Sequence, residues 1–95
     1  MKSLIQSKNE CYVCHTTIGL HRHEIFYGTA NRKKSIEDGM TVKLCGVHHN
    51  LSNAGVHFDK ELDLQLKKLG QIIWEEYYHK NKEQFIERYG KSYVD

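Results

Sequence analysis

The sequence predicts a small α+β domain in which a β-hairpin runs into a short helix, a bound metal braces the hairpin, and two further helices pack on it. Three observations carry this. Cys11-x-x-Cys14 is answered about thirty residues later by Cys45-x-x-His48, the paired spacing of a closed zinc site. Two short segments rich in β-branched and aromatic residues lie between and beside these pairs. From Asp59 onward the apolar residues fall into a helical period.

The elements follow in order. Residues 1–10 are polar and read as a flexible lead-in, without the apolar core of a signal peptide. Cys11–Cys14 reads as a knuckle turn closed by Gly19. Leu20–Gly28, LHRHEIFYG, alternates imperfectly and reads as a strand. Thr29–Gly39 is polar and reads as a long loop with at most one helical turn. Met40–Leu44 is a second strand, and a short helix is expected from Val47 to Asn53, ended by Gly55. Leu62, Leu66, Leu69, Ile73 and Tyr77 then form one helical stripe behind an N-cap at Asp59. A last helix starts at Asn81, where Gln84 completes a capping box, and carries Phe85, Ile86 and Tyr89 up to Gly90. The 95 residues form a single domain: lead-in 1–10, knuckle and hairpin core 11–58, helical part 59–95.

Three cysteines and no secretory segment point to reducing cytoplasm, where clustered Cys and His bind metal rather than form disulfides. No apolar run approaches membrane-spanning length, so no membrane partner is expected. Net charge is only +2, but the half ending at Asn50 concentrates Arg22, Arg32, Lys33, Lys34 and Lys43 against few acids. That asymmetry suits a polyanion partner, although a charge run by itself is most often solvated surface.

Cys11, Cys14, Cys45 and His48 are therefore expected to hold a structural zinc. A buried apolar Cys45 with Cys11 and Cys14 as a redox pair would leave His48 at the matching spacing unexplained. His49 is then free for a second site. On a helix it shares a face with Asn53, and a hairpin would bring back the strand carrying His21, His23 and Glu24. His23, His49 and Asn53, with His57 as rival to Asn53, could form an open site for a divalent cation that keeps water and accepts a phosphate oxygen.

The residues His23-Glu24-Ile25 followed by LCGVHHN (Leu44–Asn50) resemble the HNH family of nucleases, the ββα-metal or His-Me finger group, and in particular small zinc-knuckle members found in phages and prophages. The resemblance covers Cys11 to about Phe58, with Gly55–Phe58 (GVHF) and the Leu-rich run after it included, and it is looser over the C-terminal helices. It implies a Mg²⁺- or Mn²⁺-dependent endonuclease cutting DNA, with RNA open. It further implies a histidine on the first strand activating water, and a phage packaging or recombination protein as a possible partner. Glu24 stands where the family has its general-base histidine, so the base is either Glu24 or His23. The family's central asparagine falls near Asp38-Gly39-Met40, where this chain has none. Arg22, Arg32, Lys33 and Lys34 would grip flanking phosphates, which carry no sequence information, so weak specificity is expected. The competing expectation is a non-catalytic zinc-knuckle module that binds nucleic acid or protein. A redox or zinc-sensing role through Cys11 and Cys14 would leave His49 and Asn53 without a purpose.

Overall fold

The computed structural model describes residues 1–51 and 59–94, so Asn53, Gly55, His57 and Phe58 lie outside the described residues. Two antiparallel strands, β1 (Leu20–Glu24) and β2 (Thr41–Cys45), are joined through helix α1 (Asn31–Asp38). A π-type turn, Val47–Leu51, follows β2 within the stretch expected to be helical, Val47–Asn53, whose last two residues lie outside the described residues. Helices α2 (Lys60–Tyr78) and α3 (Lys82–Tyr89) complete the α+β arrangement.

The hairpin pairs His21 with Leu44, Arg22 with Lys43 and His23 with Val42. β1 stops at Glu24 rather than running to Gly28. Ile25 and Phe26 are both buried, and two consecutive buried residues cannot sit on one face of a half-exposed strand. The chain instead turns inward there, and the Phe26 ring packs on Phe85, Tyr89 and Tyr93.

The loop expected at Thr29–Gly39 is mostly helix α1. Its sequence, NRKKSIED, has no apolar stripe, because polar contacts hold it in place. The buried Ser35 hydroxyl donates to the Phe26 carbonyl (2.7 Å) and accepts from the Phe26 amide (3.1 Å). Asn31 Nδ2 and Lys34 Nζ reach the carbonyls of Tyr89 and Arg88 at the end of α3. Asp38, only 8% exposed, accepts from Trp74 Nε1, Tyr89 Oη and Arg88. Gly39 then ends α1 in the left-handed region, at φ 76°.

Asp59 caps α2 by accepting from the Glu61 and Leu62 amides, and Asn81 with Gln84 forms the expected capping box on α3. The buried face of α2 is Leu66, Gly70, Gln71 and Trp74, with Tyr78 packed beside it. Tyr77, assigned to the stripe from its spacing, is 53% exposed. The face rotates because the Phe26 ring presses on the helix at Gly70, where a Cβ would lie 3.1 Å from Cζ.

Residues 2–6, expected as a loose lead-in, run along the outer edge of β2. Leu4 N–H donates to the Gly39 carbonyl, Ser3 Oγ to the Thr41 carbonyl, and the Lys43 amide to Gln6 Oε1. Tyr12 N–H takes the Lys43 carbonyl (2.8 Å). Backbone groups that an edge strand would leave unpaired are thereby satisfied. Among the described residues, no helix is long and apolar enough to cross a membrane.

Candidate functional site

Two sites were expected to meet at His48 and His49. The first begins with the knuckle, where Cys11 N–H donates to the Thr16 carbonyl (2.8 Å) and His15 N–H to the Cys11 carbonyl (3.0 Å). His15 adopts φ 66°, and this tight turn aims Cys11 and Cys14 at the same point. Cys45 arrives at the end of β2 opposite Leu20, and the following turn swings His48 back towards the sulfurs.

The ligand atoms of Cys11, Cys14, Cys45 and His48 all lie within 4.8 Å of one another. Cys14 Sγ is 3.7 Å from Cys45 Sγ, and His48 Nδ1 is 3.8 Å from Cys11 Sγ and 3.2 Å from Cys45 Sγ. With Zn–S near 2.3 Å and Zn–N near 2.0–2.1 Å, a tetrahedron has S–S edges of about 3.8 Å and S–N edges of about 3.5 Å. These three separations lie within about 0.3 Å of those edges. They are far too long for a disulfide, and all three cysteines are free. This Cys3His group can hold a metal ion such as zinc.

Electrostatics favour the bound form. Burial pushes the Cys11 thiol up, but backbone amides of Cys14, Cys45 and Val13, with the Cys14 side chain, outweigh it and bring Cys11 down to about 6. A thiolate is therefore in place at neutral pH. The Thr16 amide pulls the Cys14 thiol down, yet desolvation and the adjacent sulfurs of Cys11 and Cys45 raise it overall. A cation among these sulfurs removes that mutual repulsion.

His49 faces the other way. Its ring centroid is 5.4 Å from that of His23 and 5.4 Å from that of His21, both edge-on. His21 and His23 alternate onto one face of β1, so three imidazoles from two elements share one side of the hairpin. His23 is 2% exposed, with the Tyr27 ring centroid at 5.9 Å, while His21 is exposed. Tyr27 Oη in turn donates to Asp63 of α2 (2.9 Å), and Lys67 lies over the Tyr27 ring. Sequence spacing alone does not mark His21 as a site residue, although its i, i+2 relation to His23 places both on one strand face.

Glu24 does not join this group. It lies on the opposite face of β1, its carboxylate 3.3 Å from Arg22 Nε, because strand alternation separates it from His23. Arg32 and Lys33 are exposed on α1, whereas Lys34 is occupied at the end of α3. Asn53 and His57, the remaining candidates for the cation, lie outside the described residues. Among the described residues, the Cys3His group is the one set of three or more potential ligands converging within 4.8 Å. Comparison with family models, with curated proteins and with solved structures finds no match to this chain.

Proposed function

We propose that the protein is a metal-dependent endonuclease acting on DNA, in which zinc at Cys11, Cys14, Cys45 and His48 braces the hairpin and the histidine face carries the chemistry. The observation that supports this reading most is the split between adjacent residues. His48 turns to the sulfurs while His49 stacks edge-on between His21 and His23. A structural zinc alone gives no reason to gather three further imidazoles.

In this reading His23 and His49 are the protein ligands of a divalent cation such as Mg²⁺ or Mn²⁺, which when bound supplies charge stabilisation to a phosphodiester. His21, the exposed imidazole of the set, accepts a proton from the attacking water. The water oxygen bonds to phosphorus, the P–O3′ bond breaks, and the departing 3′ oxygen takes a proton from solvent. Glu24, facing Arg22, takes no part in proton transfer.

The test is nicking of supercoiled plasmid by zinc-loaded protein in Mg²⁺ or Mn²⁺. His49→Ala and His21→Ala should each slow nicking by about 10²-fold or more while retaining zinc, and Glu24→Ala should cut near the wild-type rate. Nicking by His49→Ala at the wild-type rate would overturn the assignment. The second reading, a non-catalytic zinc-knuckle binding module, draws on Glu24 being turned away and on the Cys3His group being the one converging ligand set among the described residues. It expects DNA binding with no nicking in either cation.

A further inference from the structure

The face of the hairpin opposite the histidines carries an arrangement that neither the zinc site nor the histidine face uses. Arg22 on β1 and Lys43 on β2 are direct cross-strand partners. Lys43 points its amide and carbonyl outward, to Gln6 and Tyr12, so the two residues form the closer, non-hydrogen-bonded kind of pair. Like charges directly opposite one another in a hairpin destabilise it. Here the conflict is compounded, because Lys2 and Lys8 line the same cavity of about 510 Å³ between the N-terminal segment and the hairpin. Among the described residues, no aspartate or glutamate lines it.

Glu24 offsets part of the Arg22 charge. Among the described residues, none of Lys2, Lys8 and Lys43 is in an ion pair. The Lys43 ammonium is instead steadied by the neutral side-chain carbonyl of Asn9. The walls are also fixed. Gln6 bridges the Lys43 amide and the Glu10 carbonyl, and Ser3 accepts from the amides of Ile5 and Gln6. The fold thus holds four cations around one cleft at a local cost, and a bound anion offsets that cost.

We propose that this cleft is a phosphate-binding site that grips the backbone of a nucleic-acid strand. In naming nucleic acid the inference rests on the nuclease reading, but binding at the cleft does not require cleavage. A phosphodiester suits the chemistry, since flexible lysine ammonium groups contact phosphate as point charges.

The experiment is anisotropy titration of a labelled DNA oligonucleotide with zinc-loaded protein, without added Mg²⁺ or Mn²⁺, across a range of salt. The triple variant Lys2→Ala/Lys8→Ala/Lys43→Ala should bind at least about tenfold more weakly, and its salt slope should fall by about two to three. A control triple, Lys60→Ala/Lys68→Ala/Lys80→Ala, removes the same charge from exposed positions on and after α2 and should bind nearly as the wild type. Single Lys8→Glu, at an exposed residue, gives the same direction without touching the edge of β2. Equal losses in the two triples would mean diffuse attraction and would overturn the site, as would no DNA binding at all. Pyrophosphate binding that the first triple abolishes, with DNA binding untouched, would overturn nucleic acid as the source of the phosphate. A protein that binds here but never nicks plasmid would sink the nuclease reading and leave the cleft standing.

Discussion

Asp38→Ala is the perturbation whose consequence the structure fixes most fully. The Asp38 carboxylate accepts from Trp74 Nε1 at 2.8 Å, from Tyr89 Oη at 2.7 Å and from both sides of the Arg88 guanidinium. Trp74 and Tyr89 are 2% and 4% exposed, so their donors would be stranded, at about 1–3 kcal/mol each. Arg88 is a third exposed and keeps Glu37 at 3.5 Å, so it rehydrates and adds at most about 1 kcal/mol. The total is about 4 kcal/mol, a large share of the ~5–15 kcal/mol that holds a domain together. For a chain of this size that lowers Tm by roughly 15–30 °C. Urea unfolding of zinc-replete protein, followed by fluorescence of the single tryptophan, reads it directly. Asp38→Asn, which keeps an acceptor oxygen, should cost about half as much. A loss below about 1 kcal/mol for Asp38→Ala would show that this carboxylate does not clamp α1 to α2 and α3.

Purified protein should carry about one zinc per chain; Cys45→Ser and His48→Ala should lose it and melt lower, while His49→Ala keeps it. Zinc retained in full by His48→Ala would remove that ligand from the set. In metal-free protein, thiolate absorbance near 240 nm should titrate with a midpoint of about 6, and Cys11→Ser should abolish that step. Because the folded value lies below the ordinary 9.0, Cys11 contributes stability that is complete above pH 9 and is lost as pH falls through about 6. Cys14 is shifted upward, so its contribution runs the other way and is lost as pH rises above 9. Stability that does not change between pH 6 and 9, relative to Cys11→Ser, would refute the Cys11 assignment.

Spacing in the sequence already picked out the Cys3His group that can hold a metal ion such as zinc, since two-residue gaps leave few ways to arrange four soft or borderline donors. It also determined the capped starts of α2 and α3, where Asp59, Asn81 and Gln84 act on backbone amides a few residues away. These are local interactions, and local patterns report them. Tertiary structure decided the rest. Helix α1 has no apolar period because Ser35, Asn31, Lys34 and Asp38 bind it to partners between 9 and 58 positions away. The face of α2 depends on where the Phe26 ring lands against Gly70. Strand alternation makes Glu24 and His23 face opposite sides, but only the closed hairpin shows that His49 sits with His21 and His23 and that Arg22 meets Lys43. Which face of the hairpin holds histidines and which holds cations is a matter of register, and register is set by contacts the linear chain does not contain.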